Sequence, residues 1–175
     1  CVGYDLVEYH PHLWHPTADR KIVHIDSSPA EVDGNYTVAV GVVGDISHSL
    51  QRIADIAQPH QGHTLRKLRK ALIEEMNLHR DDGFFPMKPQ KIIWDLRTVL
   101  GLEDIVICDV GAHKMWMARM FRCEYPHNCI ISNGFASMGI AVPGAIAAKM
   151  AFPERKVVAV TGDAGFLMNS QEIET

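Results

Sequence analysis

The chain has 175 residues, 47% hydrophobic and 22% charged, the balance of soluble folded domains and not of a disordered or fibrous protein. A formal net charge of −4 with a pI near 6.2 gives no electrostatic footprint for nucleic acid. The longest weakly polar stretch, Ile130 to Ala151, is broken by Asn133, Pro143 and several glycines, which argues against a membrane span.

Residues 1–59 alternate strands with a helix. Lys21–Asp26 is an apolar strand ending in an acid, and Tyr36–Val43 is a β-branched run that closes on Gly44 and Asp45. Ile46, Leu50, Ile53, Ala54 and Ala57 then keep the period of a helix. Together they predict half of an open parallel α/β sheet. An acid at a strand end, such as Asp26, can hydrogen-bond a nucleotide ribose, but no GxGxxG precedes it. His10, His12 and His15 surround Pro11, Trp14 and Pro16 in what reads as an exposed polar loop, a poor place to pre-form a metal site.

Residues 60–88 read as a connector. Turn-rich runs open it at Gln58–His63 and close it at Asp81–Pro89. Between them Leu65, Leu68, Leu72, Ile73 and Met76 line one helix face, expected to pack across both halves. The basic cluster Arg66, Lys67, Arg69 and Lys70 meets Glu74 and Glu75 within helical reach, so it reads as a solvated face.

The strand–helix pattern restarts over residues 89–175. Pro89 suits a first helical turn, and Ile93, Leu96, Val99 and Leu100 make its buried face before Gly101. Asp104–Val110 is the next strand, followed by Gly111 and a helix from Ala112. Cys129–Ile131 is a short strand leading to the small-residue loop Ser132–Gly139 and a helix, with Pro143 early, expected to be buried on most sides. Lys156–Val160 reads as a buried strand running into Thr161, Gly162, Asp163, Ala164 and Gly165. Asn169 followed by Glu172 looks like an N-cap and capping box.

Three strands therefore end in loops of small residues, and in a parallel sheet all three loops fall on one rim. Close backbone approach at Gly162 and Gly165, a helix start and one hard oxygen ligand at Asp163 suit a diphosphate with its metal ion. Gly-Asp turns after strands are common and most bind nothing, so the convergence of the three loops carries the reading. The cysteines at 1, 108, 123 and 129 show neither a CxxC pair nor metal-ligand spacing, which suits a reducing, cytoplasmic setting. Cys1 is no usual initiator and Thr175 falls one turn into a helix, so the chain is expected to be an internal piece of a longer polypeptide.

These loops, in this order, resemble the thiamine diphosphate enzymes of the acetolactate synthase family. Asp109–Trp116 reads Asp-Val-Gly-Ala-His-Lys-Met-Trp and is similar to that family's Asp-Val-Gly-Gln-His-Gln-Met-Trp, departing at Ala112 and Lys114. Gly162-Asp163-Ala164 matches the start of the family's metal motif. The resemblance implies two incomplete units of Rossmann-like, thiamine diphosphate-binding type, with parallel sheets and helices on both faces. Residues 1–59 would end a central domain, 60–88 link, and 89–175 begin the diphosphate-binding domain.

The resemblance further implies that Asp163 ligates Mg²⁺, with Gly162 and the amides of Ala164 and Gly165 around the diphosphate. Gly111, Ala112 and His113 would supply a second edge. Ala136, Ser137 and Met138 would meet the thiamine, the Ala136 carbonyl holding its amino group and Met138 wedged beneath it. Against these stand plainer readings, a capping or core histidine at 113 and a packing methionine at 138.

The implied reaction decarboxylates pyruvate and joins the product to a second 2-keto acid, giving acetolactate in a homodimer or homotetramer with active sites at subunit interfaces. The catalytic Glu and the second metal ligand would lie outside these residues, so the piece alone should be inactive. FAD is not expected, because residues 1–59 show no nucleotide fingerprint. Alternatives are a sulfoacetaldehyde acetyltransferase, pyruvate oxidase or 2-keto acid decarboxylase of the same class, a non-catalytic module of the same fold, or an unrelated nucleotide-binding α/β protein.

Overall fold

Apolar, β-branched runs bounded by Gly and Asp become short parallel strands, and the periodic segments between them become helices. A computed structural model of the chain describes residues 1–6, 9–58 and 62–174. The connector's opening at Pro59–Gln61 and the final Thr175 lie outside the described residues. The chain divides into two units, 1–61 and 62–175, the second including the helix at the centre of the connector. Both are α/β with parallel strands, as the alternation predicts.

The first unit contains α1 (Pro11–Trp14), β1 (Ile22–Asp26), β2 (Val38–Val43) and α2 (Ile46–Ile56). β1 and β2 pair in parallel, and Val2 adds one parallel bridge to Ile25. The histidine-bearing segment is not the exposed loop expected. It forms α1 and buries Pro11 and His15, because Tyr4, Trp14 and Tyr36 gather their rings within 5.1–6.1 Å of one another. The His15 ring is fully used: Nε2 accepts the Arg20 N–H at 2.9 Å and Nδ1 lies 2.9 Å from the Asn35 carbonyl. Asp45 caps α2, accepting the His48 N–H at 2.6 Å.

The second unit runs α3 (His63–Asn77), α4 (Pro89–Val99), β3 (Ile105–Cys108), α5 (Ala112–Met120), β4 (Cys129–Ile131), α6 (Ala141–Ala151), β5 (Val157–Val160), α7 (Asp163–Met168) and a 3-10 helix, Ser170–Glu174. The sheet order is β4-β3-β5, all parallel, with β3 in the centre. A central parallel strand is covered on both faces, which is why its sequence is apolar without interruption. Val106 and Cys108 pack with Ile93, Leu100, Met117 and Phe121 from the α4 and α5 side. Ile105 and Ile107 pack on Ala141, Ala145 and Ala148 of α6. Each buried Val, Ile, Leu, Phe or Met among them contributes roughly 1.5–3 kcal/mol.

Four expectations are corrected here. β5 is half-buried, because it is an edge strand with a partner on one side only. Val99 is exposed, since α4 turns Ile93 and Leu100 to the core instead. α6 buries Ala141 and Val142 but leaves Met150 in solvent, so it is covered on one face. In α3 Leu65 and Leu68 are exposed, while Leu72, Ile73 and Met76 are half-buried and the helix contacts α4. No helix among the described residues is long and apolar enough to cross a membrane.

Candidate functional site

Parallel pairing of β4, β3 and β5 puts the three small-residue loops at one edge of the second sheet. The first loop leaves β3 for α5 on one face, and the second leaves β4 for α6 on the other. Loops that depart to opposite faces leave a crevice at the strand ends, where open α/β sheets take ligands.

Asp109, the residue after β3, is completely buried. Its Oδ1 accepts the N–H groups of Val110 at 2.7 Å and Gly139 at 2.8 Å, and its Oδ2 accepts that of Ala141 at 3.2 Å. Burial raises the carboxyl pKa, but the three N–H donors and nearby His113 outweigh it and the net shift is downward. The carboxylate thus ties the first loop to the end of the second. It also meets the third, because a Cβ on the buried Gly165 would come within 3.1 Å of the carboxyl carbon and 3.0 Å of Thr161 Oγ1.

Gly139 is the second node. It has φ +90, and a Cβ there would lie 2.6 Å from Asn169 Nδ2. Its carbonyl accepts from that same Nδ2 at 2.8 Å. The expected N-cap at Asn169 is therefore wrong. The helix begins earlier, at Asp163, with Gly162 as N-cap; Asn169 closes it and sends its side chain across to the second loop. A 3-10 turn follows in place of the capped helix.

His113, in the first turn of α5, joins the first loop to the third. A Cβ on Gly111 would lie 2.7 Å from its ring, and one on Gly162 3.5 Å. Its Nε2 is buried and has no hydrogen-bond partner. Such a nitrogen costs free energy unless something not yet placed beside it takes the bond. A satisfied core or capping histidine would not look like this.

The remaining predicted residues have clear positions. Asp163 stands exposed at the start of α7, its Oδ1 accepting the Ala164 N–H at 2.8 Å. Ala112 and Ala164 are exposed. Ala136 adopts φ +47, a left-handed conformation unusual for a residue with a Cβ. Ser137 is exposed and Met138 is 44% exposed, so Met138 is not simply core. Among the described residues no three of His, Cys, Asp and Glu are grouped as a metal cage, which leaves Asp163 as a single carboxylate at the rim.

The sequence pattern assigned no bridging role to the side chains of Asp109 or Thr161 or to Gly139, and it assigned Asn169 to a cap instead of a bridge. One signal was present: an acid directly after four apolar strand residues must end either in solvent or on backbone donors.

The first unit has a cleft of about 260 Å³ at the end of β1, lined by Tyr4, His24, Asp26, Glu31 and Tyr36 among others. There the Asp26 carboxylate is turned to its own neighbours, accepting from Ser28 N–H at 3.1 Å and the Ser27 hydroxyl at 3.2 Å.

Residues 109–175 match the family described as thiamine pyrophosphate enzyme, C-terminal TPP binding domain. The chain is 35% identical to an acetolactate synthase of Bacillus subtilis over 99% of its own length and 31% of that protein's. It is 33% identical to the catabolic acetolactate synthase of Raoultella terrigena, over all of this chain and 32% of the other. A probable acetolactate synthase large subunit of Methanocaldococcus jannaschii is 38% identical over 90% of the chain and 28% of its own length. The chain thus spans about a third of the length of these relatives.

Proposed function

Since the chain belongs to the acetolactate synthase family of thiamine diphosphate-dependent enzymes, we propose that the three-loop rim holds thiamine diphosphate and Mg²⁺ for decarboxylation of pyruvate and its ligation to a second 2-keto acid. The observation that carries this reading is the buried, unpartnered Nε2 of His113, lying where the first and third loops meet. The residues present fit the group. Without a Cβ, Gly111 lets the His113 ring lie against the first loop and Gly165 lets the third loop close on Asp109, and an exposed carboxylate, Asp163, stands at the start of α7.

In this reading the protein binds, bends and shields, and thiamine diphosphate when bound supplies the electron sink that lets a 2-keto acid lose CO₂. Asp163 gives one hard oxygen to Mg²⁺. The backbone N–H groups of Ala164, which here donates to Asp163 Oδ1, and of Gly165 would face the diphosphate at the start of α7. His113 Nε2, beside Gly111 and Ala112, would donate to the diphosphate. Ala136 offers its carbonyl from the second loop, with Ser137 and Met138 beside it. Pyruvate as substrate, a homo-oligomer with interfacial sites, independence from FAD and a cytoplasmic location complete the proposal. Residues 1–175 alone are expected to form no acetolactate.

Titration calorimetry of the full polypeptide with thiamine diphosphate, NAD and ADP, with and without Mg²⁺, tests the cofactor. Binding of thiamine diphosphate alone among the three, lost on chelation and in Asp163→Ala, is expected. Affinity indifferent to both metal and Asp163 would overturn the site. Product analysis after pyruvate consumption separates acetolactate from acetaldehyde, the decarboxylase outcome, and from acetyl phosphate, the oxidase outcome.

A further inference from the structure

The second loop has little packing of its own. Asn133, Phe135 and Ser137 are exposed, Phe135 fully, and Ala136 holds a left-handed φ of +47. A left-handed alanine persists only where its surroundings impose it. What fixes the loop's far end is the carboxylate of Asp109 on the N–H groups of Gly139 and Ala141, with Asn169 on the Gly139 carbonyl. The third loop is built differently. It sits between β5 and α7; the Asp109 side chain approaches it at Gly165 without a hydrogen bond, and the Asp109 backbone N–H donates to the Val160 carbonyl at the end of β5 at 2.8 Å.

We infer that Asp109 is a positioning residue for the thiamine half of the cofactor, acting through the loop Ser132–Gly139 and not through the diphosphate end. The inference rests on the proposed cofactor. Its physical basis is donor–acceptor counting. A carboxylate is acceptor-only and satisfies all three N–H groups, two of them 30 and 32 residues away. An asparagine of the same shape has one acceptor oxygen in place of two, so its NH₂ must face either the Ala141 N–H or the N–H pair of Val110 and Gly139, and the hold on the end of the second loop is weakened. Contact with Gly165 is preserved, and the diphosphate end with it.

The test uses the full polypeptide and Asp109→Asn, with two probes: thiamine diphosphate with Mg²⁺, and inorganic pyrophosphate with Mg²⁺ as its competitor. The Kd for thiamine diphosphate is expected to rise about tenfold, as loss of one strong hydrogen-bonding arrangement implies, while that for pyrophosphate stays within about twofold. Amide exchange should quicken over residues 132–141 and remain unchanged over β3 and β5. Equal weakening of both ligands, exchange spread evenly over the sheet, or an unchanged thiamine diphosphate Kd would each overturn the inference.

Failure of the unsubstituted protein to bind thiamine diphosphate would instead remove the cofactor reading, and the exchange pattern would still decide whether Asp109 sets the loop. Should Asp109→Asn not fold, Asn169→Ala loosens Gly139 from its other side. That variant is expected to shift the same residues and the same probe by about threefold; no selective shift would count against the role.

Discussion

Both units place histidines and an acid near the ends of parallel strands, and they use them in opposite ways. In the first unit every buried polar ring is answered from within: His15 by Asn35 and Arg20, His24 by the Tyr36 hydroxyl at 2.8 Å. Asp26 there spends its carboxylate on the two residues that follow it. In the second unit Asp109 reaches amides 30 and 32 residues away, while His113 keeps one nitrogen buried and unanswered. Asn77 Oδ1, Arg97 Nη1 and Asn128 Oδ1 of the second unit are buried without partners as well, so it is the position of His113 among the loops at the strand ends, and not the missing bond by itself, that marks it. Fold type alone would not separate the two sheets, since both are parallel and both end in acids.

The strongest way to break the contrast is Gly139→Ala. A side chain there needs a disfavoured φ of +90 and would press to within 2.6 Å of Asn169 Nδ2 and 3.1 Å of Met168 Cβ. Strain and overpacking together should cost about 3 kcal/mol in denaturant unfolding of the second unit. Gly34 and Gly44 in the first unit, with open space at Cβ and no left-handed φ, should tolerate the same change.

Next in size is a paired comparison. Tyr36→Phe strips the partner from buried His24, so stability should fall by about 1–3 kcal/mol. His113→Leu removes a nitrogen that already lacks a partner, so stability should change by less than about 0.5 kcal/mol while thiamine diphosphate affinity drops. Thermal or denaturant melts alongside calorimetry read both. A large loss of stability in His113→Leu would mean that the two histidines do the same job.

Much of this contrast was legible in the sequence, for physical reasons that can be named. The apolar run Ile105–Cys108, the glycines at 111, 162 and 165 and the acid at 163 all act within a few residues, and local patterns record local effects. The motif Asp109–Trp116 gave the family and put His113 at a helix start. What sequence could not supply was the long-range geometry. Asn169 has the local grammar of an N-cap, yet it is drawn across the rim because Gly139 offers it a carbonyl 30 residues away. His15 sits among prolines and polar residues, yet is buried, stacked on the adjacent Trp14 ring and bonded to the Asn35 carbonyl 20 residues away. Val40 and Val43 look like core and lie exposed on an edge strand for the same reason.

Acid offers a gentler probe. The folded pKa of Asp109 lies below the 3.8 of an ordinary carboxyl, so its contribution is complete above that value and drains away as pH falls below it. Asp104, which receives the N–H groups of Gly101 and Lys156, shifts the same way and ties β5 to the residue before β3. The second unit should therefore loosen below about pH 4, beginning with residues 132–141, as followed by amide exchange. In Asp109→Asn the acid-sensitive step at that loop should disappear, because nothing remains there to protonate. An acid transition unchanged by the substitution would place the sensitivity elsewhere.

The smallest effect concerns thiols, and it asks how tightly the second sheet is closed. Burial pushes the Cys108 thiol up to about 11, with the neighbouring Asp109 charge adding to it, and Cys129 up to about 12, with Cys123 adding to it. Cys1 and Cys123 are exposed. Thiolates are the reactive form, so native labelling at neutral pH should modify Cys1 and Cys123 and spare Cys108 and Cys129. Cys108 lies in β3 immediately before Asp109, and Cys129 opens β4, so their labelling rates report separation of the central strand from its neighbours. If Asp109 only positions the second loop, Asp109→Asn should leave both rates unchanged even as thiamine diphosphate affinity falls. Faster labelling of Cys108 in that variant would show that the carboxylate supports the sheet itself, and the division between a rigid sheet and a separately held loop would have to be given up.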